Sequence, residues 1–447
     1  MSSTTLAGFI VGAAPPDDAR AAAARAVLDT VGVTLAGSVE PAAQIVQRVI
    51  ADEGAGPCTV IGHSVGASAP DAALANGTAA HALDFDDMCF VSLAHPSAPL
   101  VAAAFAAAER AGATGRALLD AYVVGFEIES RLGRALNPRH YQRGWHCTST
   151  IGTLGAAAAA ARLLGLDRGA AGHALAIAAS EACGLKENFG TMVKPLHAGL
   201  AARNGVLAAR LAQAGMTASG AALEGPQGYL AAMDAEWPTL EAFVGDLGAR
   251  WEIVDTGITL KLYPSCAGTH PTLDAILDLT RREGFAADQV ESIAVGVDGI
   301  TPTVLIYDRP SSGLEAKFSM PFCVAAAVVH GHVGVDTFDA ETLGDPRMAA
   351  FQSRVVMEVD PTLDPSAPAL TQARVRVRLT DGRELVASAN GARGYPERPA
   401  TDDELEGKFR TCAERVLSPR DAARALAAVR GIDGASDVRA IAGLLQA

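Results

Sequence analysis

Alanine and glycine at helical spacing dominate the first 235 or so residues, and that texture leaves closely packed helices as the main fold open to the chain. Alanine favours the helix intrinsically, and its small side chain lets helix axes approach one another. Val27, Leu28, Val31 and Leu35 recur at three and four, one buried face of a helix running to about Leu35. Asp17 and Asp18 can cap its start, and Gly37 can stop it. Helices are also expected over 42–51, 68–82, 100–111, on to 136 after a break at Gly112–Gly115, 152–164 and 170–182. A short β-like piece is expected at Cys58–Gly62.

The texture changes near Trp251. A helix is expected over 271–282 and another over 321–330, with strands at 292–297 and 354–359. Residues 374–379 (RVRVRL) alternate strictly, and Thr380-Asp381-Gly382-Arg383 is a hairpin signal leading into 384–387. Residues 270–390 thus read as a smaller α+β domain with a half-exposed antiparallel sheet, its alternating arginines a solvated face. Helix returns at 401–416 and 421–429. At 447 residues the chain is long enough for two domains, which makes an interdomain cleft the expected place for a site.

Formal charge narrows the partners. Thirty-six basic against fifty acidic residues leave −14, which argues against nucleic acid and anionic membrane, since both need a basic face. An anionic substrate would have to be held by a local cluster of cations. The seven cysteines are scattered with no CxxC pair, so a zinc ribbon, a disulfide framework and an iron–sulfur cluster are not indicated, and reduced cytosolic thiols are expected. No basic segment followed by a long apolar core opens the chain, and the longest small-apolar run, Ile151 to Ala161, is too short to span a bilayer.

Polar groups concentrate in four segments. Asn76 to Ser97 holds Asp84, Asp86 and Asp87 with His81 and His95 at the junction between two helices, where a scaffold tends to present working side chains. Gly144 to Thr150 places His146 before a helix whose hydroxyl residues can serve as caps. Asn188 to His197 contains Lys194, which precedes Pro195 and is expected in an extended or loop conformation. Lys261 to His270 again sets a lysine before a proline-containing turn. Asp86 and Asp87 could equally be a turn pair, and His330-Gly-His332 lacks nearby acidic or thiol partners for a metal.

These segments resemble the MmgE/PrpD family, which includes 2-methylcitrate dehydratases, cis-aconitate decarboxylases and iminodisuccinate epimerases. The resemblance runs through LDTVGVTLAG (28–37), NGTAAHALDFDD (76–87), AHPS (94–97), GWHCTSTIGTLGAAAAAARLLGL (144–166), GTMVKPLHAGLAARNG (190–205), KLYPSCAGTH (261–270), AKFSMPF (316–322) and GYPERPATDDELEGKF (394–409). It implies a mainly α fold: an all-helical domain from residues 1–265 and 395–447, and an α+β lid at 270–390. It further implies a homodimer, no metal or organic cofactor, and a small di- or tricarboxylate substrate. By motif, Asp84, His95, Lys194 and Lys261 are the catalytic candidates, and His146, His197 and His270 the substrate-binding ones. The decarboxylase branch has Thr and Tyr where this chain has Met88 and Phe322, and one residue fewer before HPS. The motif details around DFDD, GTMVKP and WHCTST look closest to the epimerase-like members.

All these reactions build negative charge beside a carboxylate. Lys194 and Lys261 are therefore expected to stabilise that charge, His95 to move a proton, and Asp84 to orient His95 or act as partner acid. A 2-methylcitrate dehydratase-like hydro-lyase is the leading expectation and an iminodisuccinate epimerase-like isomerase the alternative, ahead of a decarboxylase and of a non-catalytic metabolite binder.

Overall fold

The computed structural model describes residues 2–233 and 244–447. They form two compact units, one from Met1–Asn188, Met192–Leu260 and Thr401–Ala447, the other from Phe189–Thr191 and Lys261–Ala400. The fold is mainly α, and among the described residues one small sheet is found, in the second unit.

Helices of eight residues or more are numbered along the chain. The first unit begins with α1 (Ser2–Gly12), α2 (Asp17–Gly37), α3 (Pro41–Asp52), α4 (Ala69–Ala82) and α5 (Ser97–Ala111). It continues with α6 (Gly115–Leu136), α7 (Gly152–Leu163), α8 (Arg168–Glu181) and α9 (Val193–Gln213). Its centre is α4. The Ser68 side chain caps it by accepting from the Asp71 N–H, and nearly every later residue is buried. A helix of small residues apolar all round belongs in an interior. It gets there by backbone approach: a Cβ on Gly77 would lie 2.9 Å from Gly199 Cα on α9, and one on Gly37 of α2 would lie 1.9 Å from Ala79 O.

Three local expectations are corrected. Lys194 is helical, not extended, because Pro195 falls in the first turn of α9, where a missing N–H costs no internal hydrogen bond. Cys58–Gly62 is not a strand. It makes a single bridge, Cys58 to Ala67, and the Asn76 side chain supplies two further backbone partners, accepting from Ile61 N at 2.8 Å and donating to Thr59 O at 2.9 Å. The hydroxyls after His146 are not caps. Thr148 Oγ1 accepts from His95 N at 3.0 Å, and Thr150 Oγ1 lies 2.8 Å from His140 Nε2.

In the second unit, β1 (Val290–Val297), β2 (Val355–Val359), β3 (Gln372–Leu379) and β4 (Glu384–Asn390) make one sheet in the order β2-β1-β3-β4. Val295 pairs with Met357 on one side and Val375 on the other. The sheet is mixed, not antiparallel: β1 and β2 run parallel. The connection between them carries α11 (Met320–Val329) and is long enough to return the chain in the same direction. With α10 (His270–Glu283), α11 packs on the sheet. Arg376 on β3 is exposed and paired with Glu358 at 2.9 Å, as the alternation predicts for a solvated face.

Two tail helices, α12 (Asp402–Ala413) and α13 (Pro419–Arg430), belong to the first unit and pack on α2. Thr401 and Glu404 form a capping box, the Thr401 N–H donating to Glu404 Oε2 at 2.8 Å.

Candidate active site

Three supports bring one constellation together in the first unit. His81 comes from the last turn of α4, Asp84, Asp86 and His95 from the loop between α4 and α5, and Lys194 and His197 from the first turns of α9. Lys194 and His197 are three residues apart and so share a helix face. His146 joins from the residue before a short helix, Cys147–Thr150.

The loop takes its shape from two left-handed residues that are not glycine, Asp84 at φ 52° and Leu93 at φ 49°. Aspartate tolerates that region, whereas leucine does so only when its surroundings hold it there. Such residues gather at functional sites, at about 1–3 kcal/mol each. Cys89 pairs with Ala94 across a tight turn just before His95, and Met88 pairs with Thr259 through two 2.9 Å backbone bonds.

Lys194 is the hub. Its ammonium lies 2.8 Å from His81 Nε2 and 3.1 Å from Asp84 Oδ1. On the other side of the ring, His81 Nδ1 is 2.8 Å and 3.0 Å from the two Asp86 oxygens. Burial works against the Asp86 carboxylate, but His81 and His95 more than offset it and hold it well below the usual carboxylate range. Burial, opposed by Asp86 and reinforced by Lys194, keeps the His81 imidazole below its ordinary value. An ionised Asp86 beside a neutral His81 fixes the tautomer: Nδ1–H donates to Asp86, and Nε2 accepts from Lys194. The relay therefore runs from Asp86 through His81 to Lys194 and on to Asp84.

His95 sits edge-on to this relay, its ring centroid 4.4 Å from that of His81. Its Nδ1 is 3.3 Å from Asp86 Oδ2 and its Nε2 is 3.6 Å from Asp84 Oδ1. An imidazole bracketed by two carboxylates can carry a proton in either direction. His146 and His197 form a second pair, Nδ1 to Nδ1 at 3.0 Å. Burial and then the Lys194 charge push His146 well below its ordinary value, and burial with His81 and Lys194 pushes His197 down to about 4. Both are neutral hydrogen-bonding groups at neutral pH.

Behind the loop the chemistry differs. Asp87 accepts from Ser97 N at 3.1 Å and contacts the Ser97 hydroxyl, which is 2.5 Å from Tyr122 OH. Burial raises Asp87 to about 8 despite Ser97. Glu129 is fully buried with neither carboxyl oxygen hydrogen-bonded among the described residues, and burial followed by Asp87 holds it well above its usual range. These two are protonated acids at neutral pH.

A donor set of two imidazoles and two carboxylates suits a divalent ion by type, and His81, Asp84, Asp86 and His95 offer ligand atoms within 4.8 Å of one another. The chain has its own cation for them. The Lys194 ammonium is already within hydrogen-bond reach of His81 and Asp84, so it sets one positive charge against the two carboxylates.

Of the sequence candidates, the structure gathers Asp84, His95, Lys194, His146 and His197. Lys261 and His270 belong to the second unit, where Lys261 Nζ and His270 Nε2 meet the Ser265 carbonyl at 3.0 Å and 3.1 Å. His81 and Asp86 are additional members: both lay in the polar segment from Asn76 to Ser97, but the motif-based candidates did not include them, and Asp86 also suited a turn pair. Their signal was the five-residue spacing, from the last turn of a helix into the following loop.

The MmgE/PrpD N-terminal domain profile matches residues 4–239, and the MmgE/PrpD C-terminal domain profile matches 263–433. The chain belongs to the MmgE/PrpD family. The family's C-terminal match reaches across all of α12 and α13, so the two matches and the two compact units divide the chain differently. Curated relatives include a cis-aconitate decarboxylase of Mus musculus, 29% identical over 80% of this chain and 74% of its own length. A cis-aconitate decarboxylase-like protein of Aspergillus oryzae is 28% identical over 96% and 93%, and a cis-aconitate decarboxylase of Aspergillus terreus 27% over 96% and 92%. These similarities place the MmgE/PrpD chain among enzymes of the lyase kind. Among the described residues, no single helix is long and apolar enough to cross a membrane.

Proposed function

We propose that the protein is a lyase acting on a small di- or tricarboxylate through an anion that forms on the carbon next to a carboxylate. The observation that carries this reading is the Lys194 ammonium, held between His81 and Asp84 with His95 beside it. A buried, preorganised ammonium stabilises charge as it develops and needs no reorganisation to do so. In the leading version His95 removes the α-proton, the electron pair moves into the carboxylate-stabilised anion opposite Lys194, and a protonated group releases the β-hydroxyl as water. That is a hydro-lyase of the 2-methylcitrate dehydratase kind.

The names of the curated relatives favour a second version, decarboxylation, in which the C–C bond to one carboxylate breaks, CO2 leaves, the electron pair stays behind as an anion on the vacated carbon, and a protonated His95 delivers a proton to it. Met88 speaks against that version. It fills with an apolar, buried side chain the position where the decarboxylase branch carries a threonine hydroxyl.

Purified protein incubated with candidate acids in deuterated water separates the versions. An unsaturated product with loss of water supports the hydro-lyase, and loss of CO2 with deuterium at the vacated carbon supports decarboxylation. Deuterium at the α-carbon with neither loss supports epimerisation. No exchange and no turnover on any such acid would overturn the proposal. With the Lys194 ammonium as the site's cation, excess chelator should leave turnover unchanged.

A further inference from the structure

We infer that Lys408, on the tail helix α12, is a positioning residue for the acidic loop. The inference rests on the reading that this loop is the working site. Lys408 is nearly buried. Its ammonium donates to the Phe85 carbonyl at 2.7 Å, meets the Asp29 oxygens of α2 at 2.7 Å and 3.0 Å, and stands 4.0 Å from the centre of the Phe85 ring. Phe85 lies between Asp84 and Asp86. One ammonium therefore grips both the backbone and the side chain of the residue that separates the two front carboxylates.

The carbonyl matters most. It belongs to the peptide joining Phe85 to Asp86, so holding it fixes ψ of Phe85 and φ of Asp86, the two torsions that aim the Asp86 carboxylate at His81. The preceding residue, Asp84, is in the left-handed region and has no regular secondary structure to hold it. A peptide next to a strained residue turns easily unless its polar groups are committed. Lys408 commits this one, and the Asp29 carboxylate keeps Lys408 in place. A rival explanation is that the Asp29–Lys408 ion pair merely joins α2 to α12, with Phe85 a bystander.

Two double variants separate these explanations, because both remove the buried charge pair and only one keeps a donor at position 408 for the Phe85 carbonyl. Asp29→Asn/Lys408→Gln keeps an amide N–H2, whereas Asp29→Asn/Lys408→Met does not. Crystal structures and thermal unfolding of both are compared with steady-state kinetics. If Lys408 positions the loop, the Met variant has Asp86 turned away from His81 and kcat reduced roughly 10- to 100-fold with KM little changed, while the Gln variant keeps the loop and most of the turnover. If the ion pair is only structural, the two variants share one loop conformation and one kcat even where their Tm values differ, which would overturn the inference. The loop conformation is read without substrate. A displaced loop in the Met variant, with no turnover by the wild-type protein on any polycarboxylate, would sustain the positioning role and reject the proposed function.

Discussion

Asp86 and Asp87 are adjacent, equally buried and of one residue type, yet they sit on opposite sides of protonation. In front, Asp86 meets two imidazoles and is held well below the carboxylate range. Behind, Asp87 meets a serine hydroxyl and lies near a second buried acid, and it rises to about 8. Burial alone raises both. The difference shows that the partner across the contact, not depth, decides which carboxylate is charged. The loop thus presents an ionised face to Lys194 and His95 and a neutral one to the helix core.

The contrast can be broken or sharpened by substitution. Replacing His95 by Gln removes the proton carrier on the front face and should lower kcat by roughly 10²- to 10⁴-fold. Lys194→Met, which leaves the developing anion without its cation, should cost roughly 10²- to 10³-fold in kcat/KM. Turnover surviving both substitutions would mean that the chemistry lies elsewhere. Asp86→Asn keeps the shape but loses the charge that sets the His81 tautomer, and about 10- to 100-fold in kcat is expected, the range for carboxylates that orient metal-bound imidazoles.

Asp87→Asn is the matched control behind the loop, since it replaces an acid that is already neutral. Turnover at pH 7 should change less than about threefold, and stability by about 1 kcal/mol or less below about pH 4, where the unfolded acid is protonated too. Its signature is in the pH dependence of unfolding. An acid raised from about 4 to about 8 on folding keeps a proton that the unfolded chain has lost, so its contribution falls as pH rises through that window, by up to about 1.4 kcal/mol per unit. Denaturant melts at several pH values should show a flatter profile for Asp87→Asn. A profile parallel to wild type would mean that Asp87 is ionised like Asp86. The smallest effect belongs to Arg376→Ala on the exposed sheet face, within about 0.5 kcal/mol in the same melts.

Alanine spacing made most of the helices readable in advance, and the RVRVRL alternation with its Asp-Gly turn announced the β3–β4 hairpin. What depended on distant partners was harder to read. Lys194-Pro195 looks extended when only the two residues are considered, but the proline falls in a first helical turn whose N–H groups are spare. The parallel pairing of β1 with β2 depends on where a long crossover returns the chain, which no local pattern encodes. At the site, Asp84, His95 and Lys194 stood out through their motifs. Asp86 did not, because its charge is fixed by imidazoles from α4 and from the far end of the loop, and an Asp-Asp pair also suits a turn.

The bond from Lys408 to the Phe85 carbonyl spans 323 residues of sequence. Ribosomes add about 5–20 residues per second. The acidic loop therefore leaves the ribosome well before the helix that holds it exists, by roughly 15 to 65 seconds at that pace. During synthesis the α4–α9 scaffold can pack while the loop still lacks its distant anchor. Each newborn chain thus acquires its reactive geometry late, after most of the surrounding structure has been made.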